Sequence, residues 1–134
     1  MKVGDQAKQS KIITEDDILR FSEIVGDKNP IHTDPKFAKN TMFGEQIAQG
    51  MLIGSLISGV LGTKLPGPGC VYLNQTLNFL LPVKSGDYIT AFVEVIDIRN
   101  KADSSIVILK TWCCNKNNQT VVDGQAVMKT YLVG

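Results

Sequence analysis

The 134-residue sequence has little of what marks several common classes of protein. Its 14 basic and 13 acidic residues leave a formal net charge of +1, which gives no electrostatic reason to expect a nucleic acid or an anionic membrane as a partner. No stretch approaches the roughly 20 apolar residues of a membrane helix. The N-terminal residues, MKVGDQAKQSKII, lack the apolar core of a secretory signal. We therefore expect a protein that neither binds nucleic acid nor spans a membrane nor is exported by such a signal.

Reactive and metal-binding side chains are also few. The one histidine and three cysteines form no cluster with metal-ligand spacing, and the sequence contains neither a glycine-rich phosphate loop nor a Gly-x-Ser-x-Gly turn. We expect no metal site, no P-loop chemistry and no α/β-hydrolase triad. Cys113 and Cys114 are adjacent in a predicted strand, where their side chains would point to opposite faces, so we expect no disulfide framework. A reducing cytoplasm fits this cysteine usage best.

The first half of the sequence carries helix signals. Thr14, followed by three acidic residues and then by apolar residues at helical spacing, predicts an N-capped amphipathic helix that ends near Gly26. Asp34 and Pro35 are placed to cap and open a second, short helix. Residues 50–62, GMLIGSLISGVLG, are apolar on every side and predict a third helix that is buried all round.

The second half alternates apolar runs with turn signals. It predicts four strands, at residues 71–81, 88–98, 105–115 and 120–132. The connections are short, which favours antiparallel pairing over parallel crossovers. A long antiparallel sheet curled around one apolar helix is an α+β architecture. With no internal repeat or linker, residues 1–134 are expected to form a single domain.

The chemically richest segment is the loop at residues 26–35. Asp27 and His32 lie five positions apart in a loop stiffened by Pro30, so their side chains can converge on one cavity. A carboxylate and an imidazole form a useful acid–base pair, because an imidazole titrates near neutral pH. A structural interpretation stays open at this point: Asp27 and Asn29 can form Asx turns while His32 binds a nearby backbone carbonyl.

Gly50 begins the apolar helix, and the first N–H groups of a helix have no acceptor within it. In a cleft that excludes water they can bind an oxyanion, although glycine at a helix end is more often a cap or a packing residue. An acid–base pair beside an oxyanion site suits proton chemistry next to an activated carbonyl, such as water addition to an α,β-unsaturated thioester, which needs no cofactor. Ser58, two turns later, can bind an active-site side chain or simply allow close helix packing.

Three segments resemble the MaoC-like, (R)-specific enoyl-CoA hydratase family. They are FSEIVGDKNPIHTD at residues 21–34, QGMLIGSLISGVLG at residues 49–62 and YLNQTLNFLLPVKSGD at residues 72–87. The first contains an Asp-x-Asn-Pro-x-His motif, and the third contains Phe-x-x-Pro-Val-x-x-Gly-Asp. The resemblance extends over almost the whole sequence.

The resemblance implies a hot-dog fold, a long antiparallel sheet wrapped around a central buried helix, that pairs into a homodimer. It also implies that Asp27 and His32 activate one water for addition to a trans-2-enoyl-CoA, giving an (R)-3-hydroxyacyl-CoA. The Gly50 N–H would bind the thioester oxygen. Asn29 would shape the loop, and Ser58 would support the catalytic pair. The coenzyme A is part of the substrate, and no separate cofactor is implied.

One position departs from the family pattern. Many relatives carry histidine immediately before the helix glycine, whereas this sequence has Gln49, whose amide cannot titrate. Two other functions stay open. A hot-dog thioesterase would direct water at the thioester carbonyl, and a non-catalytic acyl-CoA-binding module would turn nothing over. The paired Asp27 and His32 favour the hydratase.

Overall fold

The computed structural model describes residues 1–131, which form six strands and four helices. In chain order the elements are β1 (Gln6–Ile12), α1 (Glu15–Val25), α2 (Pro30–Thr33), α3 (Pro35–Lys39), α4 (Gly50–Thr63), β2 (Val71–Gln75), β3 (Asn78–Phe79), β4 (Tyr88–Asn100), β5 (Ser104–Cys114) and β6 (Thr120–Tyr131). All strands pair antiparallel in one sheet of order β1-β4-β5-β6-β2, and β3 also pairs with β6.

The predicted helices are confirmed, and their ends follow local signals. Thr14 and Asp17 form a reciprocal capping box at the start of α1, and Gly26 ends that helix with φ 76°. The Asp34 side chain accepts hydrogen bonds from two N–H groups at the start of α3. The four-residue α2 was not predicted, because the sequence around Pro30 indicates only an ordered loop.

The prediction of four strands is wrong in two places. β1 pairs with β4 along its whole length, but its residues are almost all exposed and polar, so no apolar alternation marks it. The predicted strand at residues 71–81 is broken into β2 and β3 at Thr76 and Leu77. There the backbone crosses β6 so closely that a Cβ on Gly124 would lie 1.8 Å from the Thr76 carbonyl oxygen.

The order of the strands also differs from a simple meander. β4, β5 and β6 follow one another through short turns, as predicted. β2 lies beyond β6 rather than next to β4, so residues 80–87 cross from one side of the sheet to the other. The predicted end of the last strand at Leu132 lies outside the described residues.

α4 packs against the sheet, where it contacts β1, β4 and β5. Its predicted burial on every side is wrong for the single chain: Ile53 and Ile57 are fully covered, whereas Met51, Ser55 and Ser58 are exposed. The sheet covers one side of the helix only. The core between them consists of aliphatic side chains together with Cys113: Ile13, Ile18, Ala48, Leu52, Ile53, Ile57, Val60, Leu61, Val83, Ile89, Ala91, Val93, Val95, Val107, Leu109, Val121, Val122, Ala126 and Met128.

The three cysteines are free thiols in the structure. Burial raises the pKa of Cys113 to about 12, and its Sγ lies 3.7 Å from the Ile53 carbonyl oxygen, so this thiol is neutral and belongs to the core. Of the helices that the structure describes, none is long and apolar enough to cross a membrane.

Candidate active site

The end of α1 holds Asp27 in place. Gly26 turns the chain out of the helix, and the Ser22 hydroxyl donates to the Asp27 carbonyl oxygen. The Asp27 carboxylate accepts a hydrogen bond from the Asn29 N–H through Oδ1, at 3.1 Å. This Asx turn leaves the second oxygen, Oδ2, free to face other groups.

Asn29 starts α2 and so orients His32. Its Oδ1 accepts from the Ile31 N–H at 3.2 Å, and Pro30 occupies the first helical position, where the lack of an N–H costs nothing. The single turn of α2 then turns the His32 side chain inward. Asn29 therefore caps α2, and its own N–H contacts Asp27.

His32 is buried to 9% exposure and held by two neighbours. Its ring Nδ1–H donates to the Ile47 carbonyl oxygen at 2.8 Å, and the Gln46 side-chain amide donates to the His32 carbonyl oxygen. Because a carbonyl oxygen can only accept, the proton of the neutral ring lies on Nδ1 and the lone pair on Nε2. The contacts of the structural interpretation, the two Asx turns and the bond from His32 to a backbone carbonyl, are therefore present, and they leave Nε2 of His32 uncommitted.

The Asp27 and His32 side chains converge, as the sequence predicts. Oδ2 of Asp27 lies 3.8 Å from Nε2 of His32. That distance is too long for a direct hydrogen bond and leaves the Nε2 lone pair available to a third group. The Asp27 side chain remains 40% exposed, so the pair is reachable from outside.

Gly50 begins α4 beside this pair. Its preceding residue, Gln49, makes no side-chain cap, and within residues 1–131 the Gly50 N–H donates to no protein acceptor. A Cβ at this position would lie 2.8 Å from the Phe79 ring, so only glycine permits the close approach that the structure has. The unpaired N–H at a helix start is available to a partly negative oxygen.

These groups line one cavity of about 300 Å³, called here the dyad cavity. Its lining residues are Phe21, Val25, Asp27, His32, Gln49, Gly50 and Met51. A neighbouring apolar cleft of about 290 Å³ shares His32 and Gly50 with the dyad cavity. Its other lining residues are hydrophobic: Phe43, Ile47, Ala48, Ile53, Phe79, Leu80, Leu81, Pro82, Val83 and Val122. The polar groups therefore sit where two mainly apolar cavities meet.

Ser58 does not join the pair. It lines a separate distal cavity of about 280 Å³ together with Met51, Gly54, Ser55, Tyr72, Gln75 and Leu77. The eight residues between Gly50 and Ser58 amount to about 12 Å along a helix. Burial raises the pKa of Tyr72, and the nearby Ser58 side chain partly offsets that rise.

The distal cavity also contains polar residues that the sequence analysis missed. Tyr72 donates to the Gln75 Oε1 at 2.9 Å, and the Gln75 amide donates to the buried Thr111 hydroxyl at 3.0 Å. A hydrogen-bonded polar cluster thus closes one end of this cavity. No local motif marks these residues, because β2 meets β5 and α4 only through the tertiary fold.

A family model described as a MaoC like domain matches residues 2–113. The chain belongs to this MaoC-like family. Its relatives include the (R)-specific enoyl-CoA hydratase of Aeromonas caviae, 43% identical over 129 residues, with 96% of this chain and 95% of the relative covered. The 3-hydroxybutyryl-CoA dehydratase of Methylorubrum extorquens is 42% identical over 132 residues, with 96% and 80% covered.

A solved structure of the MaoC-like family agrees with this one in fold. The (R)-hydratase from A. caviae involved in PHA biosynthesis superposes with a TM-score of 0.92 at 42% identity, and 97% of each chain is covered. The expected α+β hot-dog fold is therefore confirmed. The catalytic roles of Asp27, His32 and Gly50, and the supporting roles of Asn29 and Ser58, stay predictions.

Proposed function

We propose that this protein catalyses the reversible addition of water to a trans-2-enoyl-CoA, giving the (R)-3-hydroxyacyl-CoA. The observation that carries the proposal is the meeting of three groups in the dyad cavity: the Asp27 carboxylate, the Nε2 of His32 and the unpaired N–H of Gly50. The names of the A. caviae and M. extorquens relatives support the same reaction class. Together they supply an acid–base pair and an oxyanion donor, the groups that water addition next to a thioester can use.

Asp27 and His32 would hold the attacking water. When the His32 imidazole is neutral, its Nε2 lone pair and the Asp27 carboxylate both accept hydrogen bonds. One water molecule can then donate a hydrogen bond to each. As the water oxygen bonds to Cβ, one proton passes to the pair, and one proton returns from the pair to Cα. The pair ends in the protonation state in which it began, and the sum is one water added with no oxidation or reduction.

Gly50 would stabilise the charge that develops on the thioester oxygen. When the water oxygen bonds to Cβ, electron density moves through Cα toward the carbonyl and gives an enolate-like oxygen. An N–H that is already oriented and unpaired stabilises this oxygen without reorganising, and the N-terminal end of the 14-residue α4 adds its dipole. Neither step requires a metal or an organic cofactor.

The apolar surroundings would bind the acyl chain and exclude bulk water. Phe21 and Val25 of α1 form one wall of the dyad cavity, and Phe79 covers the start of α4. Burying apolar chain against such walls is favourable by about 25 cal/mol per Å². A drier cavity also strengthens the hydrogen bond from Gly50.

We include a homodimer in the proposal. β2 is an edge strand of the sheet, and the exposed apolar side chains concentrate on it and on the residues that follow it: Val71, Tyr72, Leu73, Phe79, Leu80 and Leu81. An open strand edge beside an apolar surface is typical of a face that a second subunit covers. The second subunit would also cover the exposed side of α4 at Met51 and Ser55. Light scattering in solution tests this, and a monomeric mass at micromolar concentration would contradict it.

The proposal treats residues 1–134 as one catalytic domain that acts on a free thioester in the cytoplasm. The three unpaired thiols support a reducing compartment. Fractionation of cells that express the tagged protein tests its location.

The first experiment measures the loss of enoyl absorbance after purified protein is mixed with crotonyl-CoA, followed by chiral analysis of the product. His32→Ala is run beside the wild type. Asp34→Asn serves as the matched control, because Asp34 lies in the same loop but only caps α3, and asparagine caps a helix equally well. We expect (R)-3-hydroxybutyryl-CoA from the wild type and from Asp34→Asn, and almost none from His32→Ala.

Two other outcomes would overturn the hydratase proposal. Release of free coenzyme A from crotonyl-CoA, with the enoyl group intact, would indicate a thioesterase. Tight binding of acyl-CoA by folded protein without turnover at any chain length would indicate a binding module.

A further inference from the structure

Gln49 joins the start of α4 to α1. It is 3% exposed, and its Nε2 donates to the Ile18 carbonyl oxygen at 2.9 Å. Ile18 lies in α1, the helix whose end holds Asp27. This one bond therefore connects the element that carries the Gly50 N–H to the element that leads into Asp27.

The other end of the same amide lacks a partner. Because Nε2 is committed to Ile18, the orientation of the amide is determined, and Oε1 faces elsewhere. Among the described residues, Oε1 of Gln49 is a buried side-chain atom that receives no hydrogen bond. Buried acceptors in folded proteins almost always have a donor, so this one indicates a donor that the chain itself does not supply.

The surroundings restrict where that donor comes from. Gln49 lines the dyad cavity together with Asp27, His32 and Gly50. Oδ2 of Asp27 accepts there, Nε2 of His32 is used by the attacking water in the proposed reaction, and the Gly50 N–H is taken by the thioester oxygen. A donor that enters with the reactants, a water molecule or an amide N–H of the carrier arm of the substrate, would satisfy Oε1.

We propose that Gln49 is a positioning residue, whose Nε2 fixes the start of α4 on α1 and whose Oε1 accepts a hydrogen bond from a donor of the reacting complex. This inference rests on the proposed hydratase function. Both bonds use an uncharged group, so residue 49 transfers no proton. A neutral imidazole has the same pattern, one N–H donor and one lone-pair acceptor, so histidine can replace Gln49 without a change of mechanism.

The test compares two replacements of Gln49. Gln49→Met keeps the length of the side chain but removes both hydrogen bonds, and we expect kcat/KM for crotonyl-CoA to fall about tenfold. Gln49→His is expected to restore kcat/KM to within about threefold of the wild type at pH 8, where imidazole is neutral. Its kcat should then fall more steeply than that of the wild type toward pH 5, because a protonated imidazole no longer accepts.

Ser105→Ala is the matched control for the loss of a buried hydrogen bond. Ser105 is 7% exposed and donates to the Asn100 Oδ1 at 2.7 Å, beside the turn that joins β4 to β5. Ser105→Ala should lower the unfolding temperature about as much as Gln49→Met and leave kcat/KM unchanged. Loss of activity in Gln49→Met beyond that in Ser105→Ala therefore reports on positioning rather than on stability.

A second substrate distinguishes the two sources of the donor. S-ethyl crotonothioate has the reacting thioester but no carrier-arm amide. An equal loss in Gln49→Met for both substrates assigns the donor to water, and a loss confined to crotonyl-CoA assigns it to the arm.

Three results would overturn the inference. They are a Gln49→Met variant within twofold of wild type on crotonyl-CoA, a Gln49→His variant as impaired as Gln49→Met, and a wild type with no hydratase activity. The last result rejects the proposed function as well, whereas the first two reject only the role of Gln49.

Discussion

Two neighbouring rows of residues run along α4 and differ in what they do. Ile53, Ile57 and Leu61 recur once per turn and are fully buried against the sheet. Gly50, Gly54 and Ser58 recur at the same spacing on the adjacent row, where they line cavities.

The difference lies in side-chain size. Large aliphatic side chains in the first row fill the space between helix and sheet, and the small residues of the second leave room for Phe79 and Leu77 and for the two cavities. One helix thus carries the core along one row and the candidate site along the next. Substitutions in the two rows should therefore have separable effects on stability and on activity.

The largest effect is expected at the pair that faces Gly50. Asp27→Asn and His32→Ala should each lower kcat by at least about 10², because a positioned acid or base is lost, while the protein stays folded. Circular dichroism and steady-state hydration of crotonyl-CoA measure the two quantities. Near-normal turnover by either variant would remove the assigned pair from the mechanism.

The next effect should appear in stability alone. Ile57 is fully buried, and Ile57→Ala should lower the free energy of unfolding by about 2–5 kcal/mol through lost contacts and a residual cavity. Urea denaturation measures it, and kcat of the folded fraction should not change. Ser55→Ala on the exposed side of the helix is the control, and its free energy of unfolding should change by less than about 0.5 kcal/mol. A loss in Ile57→Ala no larger than in Ser55→Ala would contradict the separation of the two rows.

A smaller and more selective effect is expected at Gly54. A Cβ there would lie 2.9 Å from the Leu77 Cδ1, so alanine should push Leu77 into the distal cavity. If a long acyl chain reaches that cavity, Gly54→Ala should lower kcat/KM for trans-2-octenoyl-CoA about tenfold more than for crotonyl-CoA. Gly59→Ala, whose Cβ would meet nothing within 4 Å, is the matched control. Equal losses for both substrates would exclude the distal cavity as the acyl site.

The parts of the fold that could be predicted are those with local signals. The capping box of Thr14 and Asp17 and the Asp34 cap lie within a few residues of the helices they start, so the sequence around them is enough. β1 could not be predicted in this way. Its polar residues pair with β4, some 80 residues away, and only the tertiary fold supplies that partner.

The same distinction holds in the candidate site. Asp27 and His32 are five residues apart, and their convergence follows from one loop. Tyr72 and Thr111 meet through Gln75 across β2 and β5, which no short motif records. The one-sided burial of α4 was missed for a related reason, since an all-apolar segment predicts burial without saying which neighbour supplies it.

The smallest effect is expected at Ser58, and this residue gives the most direct test of the comparison between the two rows. Ser58 lies in the distal cavity, so Ser58→Ala should change kcat by less than about twofold and the free energy of unfolding by less than about 0.5 kcal/mol. It should also remove the hydroxyl that partly offsets the effect of burial on Tyr72, so the pKa of Tyr72 should rise further. The difference between the ultraviolet titration curves of the variant and the wild type measures that shift. A fall in kcat as large as in Asp27→Asn would instead mean that Ser58 supports the catalytic pair directly, and the small-residue row would then belong to a single site rather than to two cavities.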